Sequence, residues 1–247
     1  MPGSKKIRIF AGPNGSGKST LFKEFASKYN TGFFVNADEL EKVLATTGFI
    51  DLESLGLTAS QTDLETFKLL PSSLSLFAKA ESEGHQIKVI VENNQITDGS
   101  ADSHSYEGSF IAAFIRDLMI AQNKSFSFET VMSHESKVAE IKSLVKQGYK
   151  AYLYFVCIDD PEVNISRIKN RVALGGHNVD SDKVEDRYYR TLNFLHEVMP
   201  LCYRAYLFDN SGKRLNMIAE GFKDELILRS KTFPGWFMEY VYPHYTT

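Results

Sequence analysis

Residues 12 to 20, Gly-Pro-Asn-Gly-Ser-Gly-Lys-Ser-Thr, satisfy the pattern G-x-x-x-x-G-K-[ST], and no other stretch constrains the chain as much. The pattern follows Lys5-Lys6-Ile7-Arg8-Ile9-Phe10-Ala11, which alternates and then turns apolar as a strand does. It precedes Leu21, Phe22, Phe25 and Ala26, spaced as the inner face of a helix expected from about Ser19 to Tyr29. A strand, a glycine-rich turn and a helix in that order form a cradle for phosphate groups. Glycines let successive N–H groups point inward, and the helix adds the positive end of its dipole. Gly12, Pro13, Asn14, Gly15, Ser16, Gly17, Lys18, Ser19 and Thr20 are therefore the candidate nucleotide-binding residues, with Lys18 reaching the β- and γ-phosphates and Ser19 ligating Mg²⁺.

Beyond the loop, strand-like and helix-like stretches alternate. Thr31 to Val35 runs apolar into Asn36-Ala37-Asp38, and Leu40, Val43 and Leu44 keep helical spacing to about Thr47. Ser125 to Met132 reads as a strand, Ser136 to Gln147 as an amphipathic helix closed by Gly148, and Tyr149 to Ile158 as a long buried strand. Pro161 opens a further helix after Asp159-Asp160. Such alternation needs crossover connections, so the expected class is α/β: a three-layer fold with a mostly parallel sheet covered on both faces.

Two segments break the rhythm of what otherwise reads as a single domain over 1 to 247. About 50 to 104 holds a helical stretch from Gln61 to Glu83 with Pro71 inside it, a strand-like alternation from Gln86 to Ile96, and a polar Gly/Ser loop; it reads as an insertion after the second β-α unit. About 224 to 247 reads as an aromatic C-terminal extension that either packs over the sheet edge or contacts a partner.

Composition narrows the partners. Lys and Arg total 28 against 31 Asp and Glu, and a net charge of −3 offers no global field for a nucleic acid or an anionic bilayer. No stretch approaches the length of a membrane span, and the N-terminus lacks the apolar run of a signal peptide. Cys157 and Cys202 each lie in an apolar stretch, as buried thiols of a cytoplasmic protein would.

In an open parallel sheet the ligand crevice lies beyond the carboxyl ends of the strands, so polar residues there are the candidates. Asp38 follows the second strand, where a carboxylate accepts the proton of an attacking hydroxyl, unless it or Asn36 serves as a helix cap. Glu129 interrupts the apolar run of a central strand, where an unpaired carboxylate is costly; it calls for a ligand, a metal-bound water or an arginine. Thr130 and Ser133 beside it bind an acceptor or satisfy backbone. Asp159-Asp160 suits helix capping before Pro161 better than a Mg²⁺ contact. Arg167 and Arg171 share a helix face ahead of Gly175-Gly176-His177, and Arg187 and Arg190 follow on the next helix; they are candidate cations over a transferring phosphoryl group. Asn123-Lys124-Ser125-Phe126 lacks the Asp of a guanine-reading motif, and Leu174-Gly175-Gly176-His177 is too partial for an ABC signature. A kinase, or a hydrolase with an isolated nucleotide site, remains.

The phosphate loop, Asn36-Ala37-Asp38, Phe128-Glu129-Thr130, Arg171 followed by Gly175-Gly176, and the late segment Ala205-Tyr-Leu-Phe-Asp-Asn-Ser-Gly-Lys-Arg-Leu occur in one order. Over about 10 to 48 and 105 to 222 the chain resembles the zeta toxin family of P-loop kinases. The resemblance implies an adenylate-kinase-like sheet, ATP and Mg²⁺ as cofactors, a UDP-amino sugar as acceptor and a small helical antitoxin as partner. It makes Lys18, Asp38 and Arg171 the catalytic set, as phosphate holder, general base and transition-state cation. Ser19 becomes the metal ligand and Glu129 a substrate-side carboxylate, with Thr130, His177, Arg187 and Arg190 toward the acceptor. His177 stands where the family has a second Arg, and Val131 where it has a Thr, so Arg187 or Arg190 is expected to supply that charge. The expectation is a cytoplasmic kinase acting on a small-molecule hydroxyl; the alternatives are a regulatory ATPase working through a protein partner and a module that binds ATP without turnover.

Overall fold

The structure is a computed structural model, and it describes residues 4–99, 105–173, 181–223 and 225–245. In chain order its first elements are β1 (Lys6–Ala11), α1 (Lys18–Ala26), β2 (Phe33–Val35), α2 (Ala37–Thr47), β3 (Phe49–Asp51), α3 (Gln61–Lys68), α4 (Pro71–Ser82), β4 (Val89–Glu92), β5 (Gln95–Asp98) and α5 (Ser105–Ala121). There follow β6 (Phe126–Thr130), α6 (Glu135–Lys146), β7 (Lys150–Cys157), α7 (Pro161–Ala173), α8 (Ser181–Val198), β8 (Arg204–Asp209), β9 (Asn216–Phe222), β10 (Glu225–Leu228) and α9 (Gly235–Tyr240). The chain divides into two compact bodies, Met1–Gly32 with Ser127–Thr247, and Phe33–Phe126.

In the first body the strand order is β10-β9-β8-β7-β1-β6. Residues Ile9, Phe10 and Ala11 of β1 and Leu153, Phe155, Val156 and Cys157 of β7 are fully buried, which explains their unbroken apolar runs. Parallel pairing sets Ala11 beside Phe155 and Cys157 beside Asp209, so β1, β7 and β8 end close to level and the loops that leave them gather at one rim of the sheet. The same register lines up Phe10, Tyr154 and Tyr206, whose rings stack at 4.9 and 5.1 Å between centroids. Strands β9 and β10 turn back antiparallel. Helix α8 packs on α6, α7 and α9. The aromatic tail packs on its own body: Trp236, Phe237 and Val241 are buried. Cys157 and Cys202 are buried free thiols, and burial raises both, the Cys202 thiol to about 12.

The second body shows where local patterns mislead. The helix read across Gln61 to Glu83 is two helices, because Pro71 cannot continue α3 and instead occupies the first turn of α4. The alternation from Gln86 to Ile96 is a hairpin of β4 and β5, reversed at Asn93 and Asn94, both at positive φ (50° and 60°). Strand β3 pairs with β5 to complete a three-stranded antiparallel sheet that buries Ile50, Val89, Val91 and Ile96. Helix α5 had no counterpart in the sequence reading. It is apolar nearly all round, with Phe110, Ile111, Phe114, Ile115, Leu118 and Met119 buried, so it lacks the polar face that marks an amphipathic helix.

Asn94 does more than turn the chain. Its Oδ1 accepts from Ala59 N (2.9 Å) and its Nδ2 donates to Leu57 O (3.0 Å), tying the hairpin to the segment before α3. Asn94→Ala is expected to cost about 2–3 kcal/mol, from the lost hydrogen bonds and an unfavourable φ. Asn93→Gly, which has no side-chain bond to lose there, should be neutral or mildly stabilising. Urea unfolding of the two variants beside the parent chain measures both effects.

Candidate functional site

The turn between β1 and α1 has the shape its sequence calls for. Gly12 lies at φ +143°, and a Cβ there would stand 2.0 Å from Val156 O; Gly17 lies at +107°, with Asn210 Nδ2 2.5 Å from where its Cβ would be. Neither position admits a side chain. Asn14 O and Ser16 O, turned outward from the loop, are met by Asn164 Nδ2 (2.6 Å) and Asn210 Nδ2 (2.8 Å).

Lys18, the first residue of α1, is buried, with 6% of its surface exposed. Its Nζ donates to Pro13 O at 2.8 Å and lies 3.8 Å from Glu129 Oε1. Ser19 Oγ donates to Glu129 Oε2 at 2.8 Å. The partner that the Glu129 carboxylate needs is thus Ser19 and Lys18, at the end of β6. Burial is the main reason the Lys18 ammonium sits below its ordinary value of 10.5; the Glu129 charge works against that shift and the Arg171 charge adds to it. Arg171 is accordingly near enough for its charge to be felt at the loop.

The other predicted residues are more dispersed. Asp38 is exposed in the first turn of α2, within the second body, and the capping hydrogen bond there belongs to Asn36, whose side chain accepts from Glu39 N. Thr130 Oγ1 accepts from Met132 N (3.1 Å), which helps Met132 hold φ +60° as the chain leaves β6. Arg190 pairs with Asp186 one turn earlier on α8, while Arg187 is half-buried on the same helix. His177, with Gly175 and Gly176, lies outside the described residues. Asp160 caps α7 by accepting from Glu162 N (2.9 Å), and Asp159 accepts from Trp236 N (2.9 Å), so this pair serves structure.

Sequence reading passed over Asn164 and Asn210. They sit 150 and 194 residues from the carbonyls they meet, and the only local signal is that each lies just beyond or near the end of a strand bordering the crevice. Arg167, read as a candidate phosphate cation, donates to Asn210 O at 3.2 Å.

The loop fits a nucleotide phosphate bound with a divalent cation. Asn14 Oδ1, Ser16 Oγ and Asn164 Oδ1 are buried there without hydrogen-bond partners, and Lys18 leaves positive charge incompletely compensated. Among the described residues no group of three or more His, Cys, Asp or Glu gathers as a metal site.

No family model matches the chain. A 69-residue stretch is 35% identical to an uncharacterized protein of Haemophilus influenzae, covering 28% of this chain and 49% of that protein. In three dimensions the chain is similar to a chain of the AvrRxo1-ORF1:AvrRxo1-ORF2 complex with sulphate ions, at TM-score 0.50 and 16% identity over 92% of this chain and 62% of that one. The same complex with ATP gives TM-score 0.50 and 16% identity, over 92% and 61%. The PezAT toxin-antitoxin system of Streptococcus pneumoniae aligns at TM-score 0.46 and 14% identity, over 85% and 70%. The chain spans about half of the Haemophilus protein and under two thirds of the AvrRxo1 chain. At these identities the likeness is one of fold, and the α/β fold with a mostly parallel sheet that the motifs imply is the fold observed.

Proposed function

We propose that this chain is an ATP- and Mg²⁺-dependent phosphotransferase that moves the γ-phosphoryl group to a hydroxyl of a small molecule. A UDP-amino sugar is the acceptor class favoured by the zeta toxin resemblance. The reading rests on one observation: Lys18 Nζ and Ser19 Oγ both meet the Glu129 carboxylate beside a glycine loop built for phosphate. When bound, ATP and Mg²⁺ supply the transferable group and a cation that draws charge from it. Lys18 holds the phosphates, Ser19 holds the cation with Glu129 behind it, and Arg171 faces the charge that develops on transfer. Asp38 takes the proton of the acceptor hydroxyl, its helix being capped already by Asn36. Thr130, His177, Arg187 and Arg190 are assigned to the acceptor side.

We place the activity in the cytoplasm, a reading supported by the buried free thiols of Cys157 and Cys202. An antitoxin-like protein is the proposed partner, supported by the motif resemblance and by the two-protein complex that the AvrRxo1 neighbour forms.

Incubation with γ-labelled ATP and a pool of sugar nucleotides and metabolites is expected to move label into a new small molecule. Label released only as free phosphate would support the ATPase reading instead. Asp38→Asn should lower transfer by about 10²–10⁴-fold with ATP affinity retained; undiminished transfer would remove Asp38 as the base.

The Lys18 ammonium gives a second test. Its folded-state pKa lies below 10.5, so across the interval up to 10.5 the unfolded chain keeps a proton that the folded chain has released, and stability of the nucleotide-free protein rises with pH there. Lys18→Met has no such proton. The Tm of the parent chain minus that of the variant should therefore shift in the parent's favour as pH is raised toward 10.5, while ATP affinity of the parent falls.

A further inference from the structure

We propose that Asn164 and Asn210 are positioning residues that hold the phosphate loop in its binding form, and that helix α9 keeps Asn210 in place. The proposal builds on the nucleotide reading of the loop, although the contacts themselves do not depend on it.

A loop that turns its N–H groups toward an anion turns carbonyls away from it, and those carbonyls need donors on the far side. Asn164 Nδ2 and Asn210 Nδ2 are those donors, from α7 and from the loop after β8. Within the loop itself Lys18 Nζ reaches only Pro13 O, while Asn14 Oδ1 and Ser16 Oγ are buried without partners. Asn164 is itself fully buried, so its amide has no solvent-facing alternative to Asn14 O.

Asn210 is held in turn. Its N–H donates to Cys157 O (2.8 Å) and its carbonyl accepts from Arg167 (3.2 Å). The next residue, Ser211, donates through Oγ to Asp209 Oδ1 (2.6 Å) and accepts from Asp159 N (2.9 Å), which joins the ends of β7 and β8. Trp236 closes this arrangement from behind: its backbone N–H donates to Asp159 Oδ1 (2.9 Å) and its indole Nε1 to Asp209 Oδ1 (3.4 Å). A Cβ on Gly235 would stand 3.1 Å from Asp159 Oδ1, so the tail can approach this closely because a glycine starts α9. The aromatic C-terminus is on this account part of the nucleotide site's support, acting on the loop through Asp159, Asp209, Ser211 and Asn210.

Hydrogen–deuterium exchange of the nucleotide-free protein, followed in the peptide over residues 10–20, reads the support directly; calorimetric titration with ATP reads its consequence. Asn164→Ala and Asn210→Ala should speed exchange in that peptide and weaken ATP binding about ten- to a hundredfold, with exchange elsewhere near that of the parent chain. Asn210→Asp, which offers an oxygen to Ser16 O where a donor is needed, should be worse than alanine. Asn164→Ser and Asn210→Ser, milder changes that keep a hydroxyl donor, should fall between the parent chain and alanine, and they serve if alanine unfolds the protein. Trp236→Ala should loosen the peptide over 208–213 and the phosphate loop together.

Loop exchange equal to that of the parent chain in every asparagine variant overturns the proposal whatever happens to ATP. Unchanged exchange in Trp236→Ala removes α9 from it. A parent chain that fails to bind ATP overturns the nucleotide reading instead, and the exchange data still decide whether the two asparagines hold the loop.

Discussion

A positive charge inside a protein has to be compensated, and the compensation of Lys18 organises the rest of the first body. Its ammonium is out of water, so it requires an inward carbonyl, supplied by Pro13, and an anion, supplied by Glu129. The first demands a turn tight enough to aim a carbonyl back at the helix start, hence glycines that no side chain could replace. The second demands a carboxylate near the end of β6, where Glu129 follows the buried Phe126, Ser127 and Phe128. The compensation stops short of completion, because burial still outweighs Glu129 in setting the Lys18 pKa. A phosphate group would supply the remainder. An anion bound there would act on Lys18 in the same direction as Glu129.

How much of this was legible in the sequence follows from how far apart the interacting residues are. The glycine loop, its flanking strand and helix, and the alternation of β and α units are local patterns, and they read correctly. The need of Glu129 for a partner was legible from one residue in its strand; that the partner is Ser19, 110 residues away, was not. Helix α5 escaped because periodicity detects a polar face and α5 has little of one. The hairpin of β4 and β5 carried its signal in Asn93-Asn94, a pair suited to positive φ, but the alternating residues on either side run on in phase and suggest one strand. Asn164 and Asn210 carry no local signal beyond their place after a strand, since an amide that meets a distant carbonyl looks like any other polar residue there.

The arginines show the same limit from the other direction. Four within a short stretch suggested cations over phosphate, yet a charge does not announce its partner. Arg190 is engaged by Asp186 on its own helix and Arg167 by the carbonyl of Asn210, and the charge of Arg171 acts on Lys18. With a net charge of −3 the chain has no general attraction for anions, so on the proposed function the local placement of Lys18 and Arg171 takes the part that a basic surface plays elsewhere.

The unpartnered atoms around the loop bear on why it is built this way. A buried polar atom without a hydrogen bond costs about 1–3 kcal/mol, and Asn14 Oδ1, Ser16 Oγ and Asn164 Oδ1 lie together. A turn selected for stability alone would replace Asn14 and Ser16 with residues that leave nothing unpaired, and would not start its helix with a buried lysine. Local rules are broken here together and within a few residues, while β1 and β7 beside the loop are apolar and buried where they approach it, which is the distribution expected when a fold supports a binding site at some cost to its own stability.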